Sequence, residues 1–194
     1  MKGINHFILE VDNAFKDTIE VGNMELYIDK KISRDRSSNR FGRIINTPFF
    51  DEDNILASGY EVIFDATILY RQLYKEGTQE SIHLVDKEKS WYKIESDMIV
   101  LYRENSEAEW KGYKDNLMVS FITEKPKQTI GLILVQTKET DVKGKAIVKY
   151  RNAFLKQEGV ENGKEVFINP SCGIPFFFKN ETLYWVRSKD ILAV

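Results

Sequence analysis

The chain has 194 residues, 42% of them hydrophobic and 30% charged, with a formal net charge of −2. That is the composition of a globular protein, and a nearly balanced charge gives no electrostatic ground for nucleic acid or an anionic membrane as the main partner. One cysteine, Cys172, excludes an intrachain disulfide, and the longest apolar runs fall far short of the roughly 20 residues a membrane helix needs.

In chain order, short apolar and β-branched segments dominate. Residues 6–11, 43–46, 61–64, 81–85 and 91–94 read as strands. The second half continues in the same style at 117–122, 131–136, 146–150, 165–168, 175–178 and 183–186. Turn signals separate them: Ser58-Gly59, Glu76-Gly77, Glu161-Asn162-Gly163 and Lys179-Asn180. Many short strands at this spacing predict an all-β fold of small barrels or sandwiches. Long amphipathic helices are not expected. Residues 104–116 are charged and read as a linker, with Trp110 and Tyr113 its only large apolar groups. Glu107 and Lys111 stand one helical turn apart within it. Two polar stretches, 28–41 and 137–143, are expected to be mobile loops, because their composition cannot easily bury a backbone. Met1-Lys2-Gly3-Ile4-Asn5-His6-Phe7 has no long apolar run of the kind a secretory leader carries. Together with the single cysteine this predicts a cytoplasmic protein.

The chain also repeats itself. Ser58-Gly59-Tyr60-Glu61-Val62-Ile63-Phe64 is matched by Asn162-Gly163-Lys164-Glu165-Val166-Phe167-Ile168. Upstream, Phe41-Gly42-Arg43-Ile44-Ile45 is matched by Lys143-Gly144-Lys145-Ala146-Ile147-Val148. Downstream, Ile94-Glu95-Ser96-Asp97-Met98-Ile99-Val100 is matched by the stretch from Val186-Arg187-Ser188 to Val194. Three anchors in the same order indicate two copies of one small fold.

Few side chains suggest chemistry. Lys30, Lys31, Arg34, Arg36, Arg40 and Arg43 form a basic stretch relieved by Asp29 and Asp35, which reads as a solvated loop rather than a phosphate grip. Asp51-Glu52-Asp53 lacks the alternating spacing of a calcium loop. His6 and His83 are far apart, and Cys172 has no evident base partner. No phosphate loop and no nucleophile–base set stands out, so neither an enzyme nor a cofactor or metal site is expected. Phe176-Phe177-Phe178 cannot all face one side of a strand, so one face is expected to meet a neighbouring subunit or the other repeat.

The order of these parts resembles the GroES family of co-chaperonins. That family has a strand and then a mobile loop bearing a glycine and an apolar tripeptide. A glycine-led strand, a Gly-x-x-Val-x-Phe type strand, a roof hairpin and a closing Glu-Ser-Asp-Ile-Leu-like strand follow. In the second repeat Gly131-Leu132-Ile133-Leu134 is similar to the tripeptide that enters the chaperonin. Gly144 to Val148, Gly163 to Ile168 and Ser188 to Val194 are similar to the later strands, and Asn169-Pro170-Ser171-Cys172-Gly173 falls where the roof begins. The first repeat is more distant: its tripeptide site reads Gly22-Asn23-Met24-Glu25-Leu26-Tyr27, where Glu25 favours an ordinary edge strand, and its roof, 68–90, is longer.

The resemblance implies two tandem GroES-like small β-barrels, at 1–103 and 117–194, joined by the charged linker 104–116. It implies a non-enzymatic, homo-oligomeric ring that caps a GroEL-type chaperonin and assists ATP-dependent folding. The implied chaperonin-binding residues are Gly131, Leu132, Ile133 and Leu134, with Met24 and Leu26 in the first repeat. The alternative is the same fold used as a structural or adaptor protein, such as a virus-encoded assembly component.

Overall fold

The computed structural model describes residues 4–15, 18–21, 24–27, 38–50, 54–70, 72–74, 77–79, 81–124, 140–178 and 181–194. The chain is mostly β and forms two compact units, Met1–Trp110 and Lys111–Val194.

The first unit contains β1 (Phe7–Glu10), β2 (Thr18–Val21), β3 (Met24–Tyr27), β4 (Phe41–Asn46), β5 (Glu61–Phe64), β6 (Gln72–Tyr74), β7 (Gly77–Gln79), β8 (Leu84–Asp86), β9 (Trp91–Ile94) and β10 (Ile99–Arg103). Its sheet runs β10-β5-β4-β1-β9-β8, antiparallel throughout. The hairpins β2–β3 and β6–β7 are separate two-stranded pairs. The second unit contains β11 (Lys111–Gly112), β12 (Asn116–Glu124), β13 (Thr140–Tyr150), a short helix (Ala153–Gln157), β14 (Glu165–Ile168), β15 (Ile174–Phe178), β16 (Glu181–Arg187) and β17 (Ile191–Ala193). Its sheet runs β17-β14-β13-β12-β16-β15, again antiparallel.

The two orders coincide strand for strand. β1 corresponds to β12, β4 to β13, β5 to β14, β8 to β15, β9 to β16 and β10 to β17. The irregularities coincide too. The register of β1 on β4 shifts between Ile8 and Leu9, and that of β12 on β13 shifts between Met118 and Val119. Gly59 and Gly163 both turn the chain at positive φ, 92° and 89°. Each donates its amide at 2.7 Å, Gly59 to the Ile44 carbonyl and Gly163 to the Val148 carbonyl. Ile44 and Val148 return hydrogen bonds to Tyr60 and Lys164 at 2.8 and 3.0 Å. Asp65 donates to the Met98 carbonyl at 2.9 Å, as Asn169 does to that of Asp190 at 3.0 Å. A glycine suits this turn because a side chain at such φ meets its own carbonyl.

The cores correspond position by position. Leu9, Ile44, Val62, Phe64 and Ile94 are buried in the first unit, and Val119, Val148, Val166, Ile168 and Val186 in the second. One exchange is compensated. Register pairs Gly42 with Val62 and Ala146 with Val166, so Gly42 stands where the second unit has Ala146. A β-carbon on Gly42 would lie 3.2 Å from both the Phe64 ring and the Glu10 carbonyl oxygen. The first unit thus combines glycine with phenylalanine where the second combines alanine with isoleucine. A close-packed interior conserves volume in this way. The second unit is also fixed by Asn152, which is 2% exposed. Its Oδ1 accepts from the Leu155 amide at 3.0 Å and caps the helix. Its Nδ2 donates to the Lys114 carbonyl at 2.9 Å and to Ser188 Oγ at 2.7 Å.

Several sequence expectations are corrected. The glycine that aligns with Gly42 by pattern, Gly144, sits two residues upstream of the position equivalent to it. Residues 140–143 belong to β13, with Asp141 opposite Thr123 and Thr140 opposite Glu124. The expected strand at 81–85 is shifted to Leu84–Asp86, because the Ser81 hydroxyl turns back to the Ile68 carbonyl at 2.5 Å. In the 104–116 segment Asn105 Oδ1 accepts from the amides of Glu107 and Ala108, both at 3.0 Å, and forms a turn. Trp110 is not a solvated linker residue. It is 4% exposed, lies edge-on to Phe41 at 6.0 Å and carries the Arg103 guanidinium over its ring at 4.6 Å. Arg40, read as part of a solvated loop, is buried and donates from Nε to the Phe64 carbonyl at 3.0 Å. Phe176 and Phe178 are buried and Phe177 is exposed, as alternation requires. Residues 131–136 lie outside the described residues.

Two outcomes follow for stability. Gly59→Ala and Gly163→Ala meet no neighbour within 4 Å, so each should lose about 1–2 kcal/mol through backbone conformation alone. Equilibrium urea unfolding should give matching losses for the two sites. Gly42→Ala should lose roughly 1–3 kcal/mol by overpacking. In a Phe64→Ile background it should lose less, with a remainder from the Glu10 carbonyl. A double-mutant cycle with no coupling between positions 42 and 64 would contradict the compensation.

Candidate functional site

In both units the expected partner-binding residues fall in the connection between the first two strands of the sheet. In the first unit this connection leaves β1 at Glu10 and enters β4 at Phe41. Its two ends are tied together. Phe15 bridges to Ser38, Asn39 donates its amide to the Ala14 carbonyl at 2.9 Å, and Asn39 Nδ2 donates to the Asp12 carbonyl at 2.5 Å. Asn13 at φ 46° makes the bend, a conformation asparagine tolerates better than most residues. Beyond this neck lies the β2–β3 hairpin, with Val21 opposite Met24 and Ile19 opposite Leu26. Met24 is 64% exposed. In the register Glu25 stands opposite Glu20.

In the second unit the pairs Thr123–Asp141 and Glu124–Thr140 bring the two ends of the connection side by side. Residues 125–139 span the gap. Gly131, Leu132, Ile133 and Leu134 are at its middle and lie outside the described residues. The structure therefore places the stem of this connection, and places Met24 at the turn end of its counterpart.

A second feature of the first unit was not legible in the sequence. Glu10, Arg43, Glu61 and Arg103 come from four neighbouring strands and pair in one cross-strand row of alternating charge. With Asp12, Asn39 and Phe41 they line a cleft of about 260 Å³. Arg103 forms an ion pair with Glu61, donates from Nε to its carboxylate at 2.6 Å, and donates from Nη1 to the Ser106 carbonyl at 2.8 Å. Only the register shows this row, because its members are far apart in the chain. The second unit does not keep it: Ser120, Ile147 and Glu165 occupy the first three positions.

The remaining candidates hold structural positions. His6 Nε2 is 3.6 Å from Glu95, and His83 Nδ1 is 3.2 Å from the Lys93 carbonyl. Burial, with Asp190 nearby, pushes the Cys172 thiol up, so it is protonated at neutral pH and a poor nucleophile. Among the described residues no three His, Cys, Asp or Glu side chains gather as a metal site, and no helix is long and apolar enough to cross a membrane. Asp51-Glu52-Asp53 and most of the basic stretch lie outside the described residues.

No model of a known protein family matches the chain, and no curated protein matches it.

Proposed function

We propose that the chain is a tandem GroES-like co-chaperonin: two small β-barrels whose homo-oligomeric ring caps a GroEL-type chaperonin during ATP-dependent folding. The observation that carries this reading is the position of the apolar tripeptides. In sequence, Leu132-Ile133-Leu134 falls in the connection between β12 and β13, whose ends pair, and Met24 and Leu26 fall in the corresponding connection of the first unit. A lid needs that arrangement, with short apolar anchors displayed on a rigid body. The protein is a cytoplasmic non-enzyme, and its partner binds and hydrolyses the nucleotide.

The energetics suit a reversible lid. Burying Leu132, Ile133 and Leu134 in an apolar groove contributes about 1.5–3 kcal/mol for each side chain. Ordering a segment on binding offsets about 2–5 kcal/mol or more of that. One connection therefore binds weakly, and a ring of them binds by avidity. The two copies are unequal anchors. The second offers three consecutive aliphatic residues, and the first offers Met24 and Leu26 around Glu25. The second copy is the main contact in this reading.

Native mass measurement with a GroEL-type chaperonin tests the proposal. The ring should co-migrate with the chaperonin only when nucleotide is present. Ile133→Asp should abolish co-migration, and Met24→Asp should weaken it less. A ring that ignores chaperonin under every nucleotide condition would overturn the lid reading and move the fold to an adaptor role.

A further inference from the structure

The two copies secure the return strand of their equivalent connections by different means. Gly42 is equivalent to Ala146 by register, so two residues upstream Arg40 of the first copy is equivalent to Gly144 of the second. In the first copy Arg40 is a tie. It is buried, its Nε donates to the Phe64 carbonyl at 3.0 Å, and its own carbonyl accepts from the Phe64 amide at 3.1 Å. The strands beyond it stay in step. Between the Glu10–Arg43 pair and the Phe15–Ser38 bridge, residues 11–14 on one side match residues 39–42 on the other.

Gly144 has no side chain with which to tie. Its φ is 80°, and a β-carbon there would lie 3.3 Å from the Ile168 carbonyl oxygen, the counterpart of the oxygen that Arg40 engages. The strands around it fall out of step. Between the Phe121–Ala146 and Thr123–Asp141 pairs, β12 has Ile122 alone and β13 has Val142 to Lys145. Support changes at the same place. Ala146 and Ile147 pair with β12 on one side and β14 on the other, whereas Thr140 and Asp141 pair with β12 alone among the described strands. A bulge interrupts the ladder and bends its strand, and glycine is open to both signs of φ. A change of direction needs only a few such residues to absorb it.

We infer that Gly144 is a hinge between the sheet of the second unit and the stem formed by Thr123, Glu124, Thr140 and Asp141, and that Arg40 denies the first copy the same motion. The hinge rests on this geometry alone. Its use in docking rests on the lid reading: the stem carrying residues 132–134 adjusts its direction to the partner, and the stem carrying Met24 is held in place.

The experiment measures distances between paired spin labels by pulsed electron resonance in the full chain, with Cys172→Ser removing the native thiol. Thr123→Cys with Gln157→Cys reports the second copy, and Asp12→Cys with Ala57→Cys reports the first. Without further change, the second-copy distance distribution should be broad and the first-copy one narrow. Gly144→Ala should shift and narrow the second-copy distribution, because alanine disfavours positive φ. Gly163→Ala, which carries the same backbone strain at a turn outside the stem, should leave it unchanged. Arg40→Ala should broaden the first-copy distribution. A narrow second-copy distribution, one indifferent to Gly144→Ala, or one that Gly163→Ala alters equally would overturn the hinge. A first-copy distribution indifferent to Arg40→Ala would overturn the tie. With a GroEL-type chaperonin and nucleotide, Gly144→Ala should weaken co-migration more than Gly163→Ala does. The expected distances in a protein that never co-migrates would sustain the hinge and remove the lid reading.

Discussion

The first strand of each sheet pairs on both sides, β1 with β4 and β9, and β12 with β13 and β16. The rest of each unit depends on that double pairing. It fixes which residues of the flanking strands face the interior, since a slip of one residue would exchange faces. It also brings the ends of the following connection together, because the next sheet strand must return antiparallel alongside the first.

The two copies diverge around this shared frame. Core changes are offset locally, as at Gly42 with Phe64 against Ala146 with Ile168. Surface changes are not. The charged row from Glu10 to Arg103 is a feature of the first copy. The three-residue aliphatic anchor belongs to the second. The duplicated frame is thus kept in the core and the pairing, while the surfaces of the two copies differ.

Much of the sheet was legible in the sequence. Glu61–Phe64, Trp91–Ile94 and Glu165–Ile168 are found as expected, because Glu-Val and aromatic-rich runs bounded by Gly59, Ser90 and Gly163 carry both strand preference and turn chemistry. The repeat was legible because the positive-φ turn needs glycine in both copies. What escaped was set by long-range pairing. Arg40 reads as a loop cation, yet the Phe64 carbonyl gives it a buried partner. Trp110 reads as linker, yet it closes over Phe41 and Arg103. The equivalence of Gly42 with Ala146 required the register, since glycine alignment alone pointed to Gly144. The candidate site rests on composition, an apolar tripeptide after a glycine, and the structure adds the paired ends of the connection that contains it. It does not extend to residues 131–134 themselves.

The central claim is that the second copy's connection is the surface that meets the chaperonin. Hydrogen–deuterium exchange of the full chain, with and without a GroEL-type chaperonin and nucleotide, tests it most directly. The account predicts new protection concentrated in peptides spanning 125–139, with a smaller change around Met24 and none along the row from Glu10 to Arg103. A bound complex in which 125–139 exchanges as in the free protein, while the charged row of the first copy becomes protected, would contradict it.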